Sequence, residues 1–222
     1  ILTHPSPNFG PRREGAVPDM VVLHYTAMES AQAAIERLCD PVAEVSAHYV
    51  ISEAGILTQL VDEADRAWHA GAGQWGWVTD VNSHSIGIEL DNRGPDAPFP
   101  EVQMQCLETL LAAILHRHAI APERVIGHSD MAPGRKIDPG PRFDWQRLAH
   151  QGLAIFPRAK RSEHPDAVEF ERRLTEIGYP EVDPGTRLAA FRLRFAPQGN
   201  GPLSPYDMGV AADILAQMEN VA

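Results

Sequence analysis

Two imidazoles and a carboxylate stand where side chains converge without filling a core. His24 ends the short apolar run "DMVVLHYT", His128 ends "RVIGH", and Asp138 follows ten residues later. Two neutral imidazoles and one carboxylate form a ligand set that zinc takes in hydrolases, with a fourth position left to water. Both histidines sit at strand ends beside loops, where functional groups gather on a rigid scaffold. The chain lacks the His-Glu-x-x-His pattern of helical zinc-protease sites, so any metal ligands must come from separate segments. Chance also puts some of ten histidines at strand ends. Taken alone, His24 fits a hydrogen-bonded core residue equally well.

Two more residues qualify for proton transfer and charge stabilisation. In "HSIGIELDN", Ile86, Ile88 and Leu90 alternate with Ser85, Gly87 and Glu89, which puts Glu89 on the polar face of a strand. It is either an exposed carboxylate or a general base acting on water. Lys136 stands two residues before Asp138. If "RKIDP" is extended, both side chains point the same way, and an ammonium then faces the same carbonyl as a metal ligand. The alternative is a solvated loop lysine. His48 reads either as a strand residue facing water or as part of a cleft. His69 reads either as packing against Trp68 or as part of that cleft. His116 and His118 lie two apart on a helix and cannot chelate as an i,i+4 pair would. They and His4, His84, His150 and His164 are assigned to the surface, to loops or to helix ends.

The stretch "GHSDMAPGRKIDPG" concentrates this chemistry. Its three Gly and two Pro break helix and strand, and little in it is apolar. Such a loop is either merely solvated or built to bring a ligand and an electrophile to one point.

The elements around it follow from periodicity. "DMVVLHYT" and "RVIGH" are short strands, and "SAHYVISEAGILTQLV" is two strands joined at "SEAG". Ser30 caps a helix over "ESAQAAIERLCD". The longest helix runs from Pro100 to Ala119, with Val102, Cys106, Leu110, Ala113 and Leu115 expected on its buried side. A short helix follows Asp144. The order β-α-β-β-β-α-β-α predicts an α/β fold, a mixed central sheet flanked by helices. Composition turns Pro-rich and charged at "IFPRAKRSEHPD", which marks a linker. Three helical patterns follow, Ala167 to Ile177, Pro184 to Phe195 and Ser204 to Met218. The expected organisation is a main domain over 1–155, a linker over 156–166 and a small three-helix domain over 167–222.

Bulk composition removes other classes. The 222-residue chain carries a formal net charge of −11, which disfavours binding through phosphate neutralisation, so no nucleic-acid partner is expected. The basic run "RAKR" reads as solvated linker. No apolar run reaches the roughly 20 residues of a membrane span, and no signal-peptide pattern is visible. Cys39 and Cys106 are widely spaced and read as two buried thiols.

Taken together, "VVLHYTA", "SAHYVI", "RAWHAG", "NSHSIGIELDN" and "GHSDMAPGRKIDPG", in that order, resemble the zinc-dependent N-acetylmuramoyl-L-alanine amidases. That superfamily also contains the peptidoglycan recognition proteins. The tail "EFERRLTEIGY…RLAAFRLRF" more faintly resembles a peptidoglycan-binding helical domain. The resemblance implies one Zn2+ ion held by His24, His128 and Asp138, with Glu89 as general base and Lys136 as oxyanion stabiliser. It also implies Tyr25, His48, Trp68, His69 and Asn82 beside the substrate. The implied reaction cuts the amide between N-acetylmuramic acid, or its anhydro form, and L-Ala of the stem peptide. The implied partners are peptidoglycan fragments, and the implied location is the bacterial envelope, because cytosolic members usually lack the tail. A noncatalytic peptidoglycan-binding protein on the same fold is the alternative.

Overall fold

A computed structural model describes residues 1–158 and 162–219. Three of the four residues of "RAKR", and the last three of the chain, lie outside the described residues. Two short N-terminal strands come first, β1 (Leu2–Thr3) and β2 (Phe9–Pro11). They are followed by β3 (Met20–Tyr25), α1 (Ala31–Cys39), β4 (Tyr49–Ile51), β5 (Leu57–Gln59) and β6 (Asp65–Ala67). Next come α2 (Val81–His84), β7 (Ser85–Leu90), α3 (Glu101–His118), β8 (Val125–Gly127) and α4 (His128–Met131). The chain continues through α5 (Trp145–His150), α6 (Ala167–Ile177), α7 (Pro184–Phe195) and α8 (Pro205–Glu219).

Six strands form one mixed sheet in the order β1-β5-β4-β7-β3-β8, with only β4–β5 antiparallel. β2 and β6 make a separate antiparallel ribbon. Most of the strands are two or three residues long, and the central pair β3–β7, with six residues each, is the longest. Val21, Leu23, Ile86, Ile88 and Leu90 pack on one face under α3 and α5. Met20, Val22 and Ile126 face the other way, into a core shared with Phe170, Phe191 and Ile214 of the last three helices. Helices thus cover both sheet faces, as parallel strands require.

Capping fixes the helix starts. Side-chain oxygens of Ser30, Asp144, Asp166 and Asp183 accept backbone N–H groups in the first turns of α1, α5, α6 and α7. Each such cap is worth about 1 kcal/mol.

Two expectations need correction, and one open reading is decided. The buried stripe of α3 is Gln103, Met104, Leu107, Leu110, Leu111, Ile114 and Leu115, whereas Val102 is 51% exposed and Ala113 lies at the surface. The helix is rotated because the Gln103 amide donates to the carbonyls of Ile51 and Asp91, both at 2.9 Å, and so ties the ends of β4 and β7 to its first turn. Of the two readings of the loop from Gly127 to Gly140, the merely solvated one does not hold. Its first six residues are buried and include the single turn of α4, and residues 138–140 are buried again. Finally, Cys39 and Cys106 are free and only half-buried. No helix among the described residues is long and apolar enough to cross a membrane.

Candidate metal centre

Strand register puts three of the candidate residues in one row. β3 and β7 run parallel with His24 opposite Glu89, and β3 and β8 run parallel with Leu23 opposite Gly127. His128 is therefore one residue beyond the last β8 pair, level with His24. The row lies at the carboxyl ends of parallel strands, where open α/β sheets place their ligands. Asp138 returns to the row because Ser129 N–H donates to its carbonyl at 2.9 Å. Gly127 permits this closeness: a Cβ there would stand 2.8 Å from Pro139 Cδ.

The three candidate ligand atoms form a nearly equilateral triangle. His24 Nδ1 is 2.9 Å from His128 Nδ1, and each is 3.0 Å from Asp138 Oδ2. Hydrogen-bond partners on the far sides of the rings fix the tautomers. His128 Nε2 faces the Ala70 carbonyl at 2.9 Å, so that nitrogen carries the proton. Ser85 donates its hydroxyl to the Val81 carbonyl at 2.6 Å and is 3.1 Å from His69 Nε2, so His69 donates there. His69 Nδ1 is then an acceptor, and His24 Nε2, 3.0 Å away, donates to it. In the neutral rings both Nδ1 atoms therefore offer lone pairs. Burial, with His128 adjacent, lowers the His24 pKa to about 4, so its ring is neutral near pH 7.

Three lone-pair atoms this close repel one another unless a proton or a metal cation lies among them. Tetrahedral zinc bonded at ~2.0–2.1 Å holds its donors about 3.3 Å apart, within a few tenths of an ångström of the separations here. The second partners also match: imidazole ligands commonly give their other N–H to a carbonyl, a carboxylate or another fixed acceptor. The residues present therefore fit zinc, and among the described residues they are the group able to hold a metal ion.

Glu89 and Lys136 both border the groove that opens over this triangle, a cavity of about 700 Å3. Glu89 Oε2 is buried with no hydrogen-bond partner. Burial, helped by the Asp138 charge and opposed by Lys136, raises the Glu89 pKa to about 8. A solvated surface carboxylate would show neither feature.

Tyr25, Trp68 and His69 line the same groove. His48 and Asn82 do not reach it, contrary to expectation. His48 is fully buried: its Nδ1 accepts the Gly87 N–H at 2.9 Å, and its Nε2 faces the Asp65 carbonyl at 3.2 Å. The Asn82 side-chain oxygen accepts the backbone N–H groups of His69 and Ala70, at 3.1 and 2.9 Å. Each supports the groove from behind. His69 is more than a packing partner, because its ring links His24 to Ser85.

Sequence reasoning missed Ser85, Arg135 and Arg12. Ser85 shares a strand face with Gly87 and Glu89, so the alternation already pointed to it. A Cβ on Gly87 would stand 2.4–2.6 Å from the His69 ring, and this explains a glycine in mid-strand. Arg135 holds the Ala70 and Ala72 carbonyls. Arg12 donates to the Ser83 and Glu63 carbonyls, each at 2.8 Å. No local pattern marked either arginine.

Comparison with known proteins agrees with this geometry. Residues 14–141 match the N-acetylmuramoyl-L-alanine amidase family. The chain is 36% identical over 209 residues to the N-acetylmuramoyl-L-alanine amidase AmiD of Escherichia coli, covering 80% of this chain and 75% of that protein. A solved complex of E. coli AmiD with anhydro-N-acetylmuramic acid-L-Ala-D-γ-Glu-L-Lys superposes with a TM-score of 0.83 at 34% identity, covering 92% and 91% of the two chains. AmpDh3 of Pseudomonas aeruginosa, solved with an anhydromuramic pentapeptide, also gives 0.83, at 29% identity over 97% and 96%. Both the sequence pattern and the superposed fold place this chain in the N-acetylmuramoyl-L-alanine amidase family.

Proposed function

We propose that this protein hydrolyses the amide between N-acetylmuramic acid, or its anhydro form, and the L-Ala of peptidoglycan stem peptides, with one zinc ion held by His24, His128 and Asp138. The observation that carries the reading is the triangle of lone-pair atoms at 2.9–3.0 Å. When bound, zinc supplies Lewis acidity that polarises a carbonyl and lowers the pKa of a water to about 7.

The chain's own groups do the rest. Glu89 Oε2, without a partner of its own, accepts the proton of the attacking water and returns it to the leaving L-Ala nitrogen. Lys136 donates to the carbonyl oxygen as negative charge builds there. Losing one such donor typically costs about 10²–10³ in rate. Tyr25, Trp68 and His69 form the groove wall, and Trp68 offers apolar area to the substrate. Residues 1–155 carry this chemistry, 156–166 connect, and 167–222 form the helical unit. The C-terminal helical unit supports a location in the bacterial envelope, because cytosolic members of the family usually lack such a tail.

The alternative, peptidoglycan binding without catalysis, predicts a missing ligand or an absent base. Both are present. Purified protein should release the L-Ala-D-γ-Glu-L-Lys tripeptide from its anhydro-muramyl conjugate. The chelator 1,10-phenanthroline should stop release, and stoichiometric zinc should restore it. Binding of the conjugate with no peptide released by the zinc-loaded protein would establish the noncatalytic alternative.

A further inference from the structure

The last three helices reach the candidate metal loop through a fully buried polar cluster. Asp130 lies two residues after His128 in α4 and has no solvent exposure. Its Oδ2 accepts the Gly127 N–H at 2.7 Å, which pins the turn that begins at His128. The same oxygen accepts Nη1 of Arg194, from α7, at 3.0 Å. Its Oδ1 accepts the hydroxyl of Tyr179, just past α6, at 2.6 Å. Arg194 Nη2 donates to the Val125 carbonyl at 2.8 Å, and its guanidinium lies over the Trp145 ring at 4.6 Å.

One arginine therefore holds both ends of the segment that delivers His128: the first residue of β8 and the turn after it. Ser129 N–H on the Asp138 carbonyl extends the anchor to a second ligand. A further contact of α7 falls in the same loop, where the Thr186 methyl lies 2.8 Å from the place a Gly134 Cβ would take. Removing one partner of a buried ion pair leaves the other charge uncompensated, and its segment moves to rehydrate it. Here that segment is α4.

We propose that Arg194 and Tyr179 are positioning residues for the metal centre. Through Asp130 they fix the placement of His128 and Asp138, so the C-terminal helices act as a brace for the ligand loop. The proposal rests on the reading of His24, His128 and Asp138 as zinc ligands.

The test uses the full chain and its Arg194→Met, Arg194→Lys and Tyr179→Phe variants. Zinc Kd is measured by competition with a chromophoric chelator, alongside circular dichroism, melting, and amide hydrogen exchange across residues 127–140. Supporting shells of metal ligands typically contribute 10–100-fold in affinity. Arg194→Met should weaken zinc about tenfold and speed exchange in the loop, Arg194→Lys should recover most of the loss, and Tyr179→Phe should cost a few-fold. A merely structural role lowers the Tm of these variants and leaves the zinc Kd of the folded protein unchanged; that result overturns the brace. Should Arg194→Met fail to fold, Tyr179→Phe decides by the same Kd and exchange readouts, since it keeps the ring and loses only the hydroxyl. Wild-type protein that binds no zinc overturns the ligand reading and the brace together. Wild-type binding with unchanged variants overturns the brace alone.

Discussion

Glu89→Gln should stabilise the metal-free protein, and by an amount that grows with pH. Burial raises the Glu89 pKa from 4.5 to about 8 in the fold. Below pH 4.5 the folded and unfolded states both hold the proton, and the group contributes no pH dependence. Between 4.5 and 8 the unfolded chain releases the proton while the folded one keeps it, so rising pH favours unfolding. Above pH 8 the penalty is complete. A gap of about 3.5 pH units corresponds to at most ~5 kcal/mol. The carboxyl retains some solvent access at the groove, which trims this to about 2–3 kcal/mol. Glutamine has the same shape and no charge to bury. Urea denaturation of the chelated wild type and variant at pH 5, 6, 7, 8 and 9 measures the difference. The Gln advantage should rise by about 2 kcal/mol or more across that range. Zinc should flatten the wild-type trend, because a nearby cation favours the carboxylate. A Gln-minus-Glu difference constant from pH 5 to 9 would refute the reasoning.

Two other perturbations probe the supports of the site. Gly87→Ala would drive a Cβ to 2.4–2.6 Å from the His69 ring; displacing that ring breaks its bond to His24 Nε2. Zinc titration should show roughly tenfold weaker binding, and melting a loss of about 1–3 kcal/mol; unchanged binding would separate His69 from the metal site. Glu63 sits under α3, where burial alone would raise its pKa, but hydrogen bonds from Arg117, His118 and Tyr49 hold it at about 2. It therefore contributes stability above pH 4.5 that is lost as pH falls through 2, at most ~3 kcal/mol. Glu63→Gln should be less stable than wild type at pH 7, with the gap closing toward pH 2 in denaturant titrations; a gap unchanged by pH would show that the ion pairs contribute nothing.

Much of the architecture was legible because local signals agreed with it. Ser30 and Asp144 marked helix starts, and the alternation in "SIGIEL" assigned the faces of β7 correctly. His24 and His128 were legible at strand ends, whereas the register that sets Glu89 beside His24 came only with the fold. Long-range polar contacts were not legible. Gln103 is buried because two carbonyls 52 and 12 residues away in sequence need a donor, and a hydrophobic-stripe reading has no term for that. His48 and Asn82 are polar residues spent on backbone groups inside the fold, where a sequence reading looked for substrate. The loop's charge left solvation and a built site both open, and nothing near it in sequence showed that Asp130 is neutralised by Arg194 from 64 residues away.

The same site concentrates three costs. Two imidazole lone pairs face a carboxylate, Glu89 has an unpartnered buried oxygen, and the ligand loop depends on an ion pair with no solvent access. On the proposed zinc assignment, one divalent cation would relieve the first directly and the second through its field, and part of its binding free energy would become folding free energy. On the proposed brace, the third cost is met by the chain itself, through Arg194. That division explains why the loop is anchored so far from the metal. Were the loop held by the metal alone, losing zinc would release His128 and Asp138 together, and rebinding would have to order the whole segment again. On the proposed brace, an anchor from α7 would fix His128 and Asp138, whose Nδ1 and Oδ2 lie 3.0 Å apart, as part of folding, and the entropy of ordering the loop would be met there rather than at metal capture.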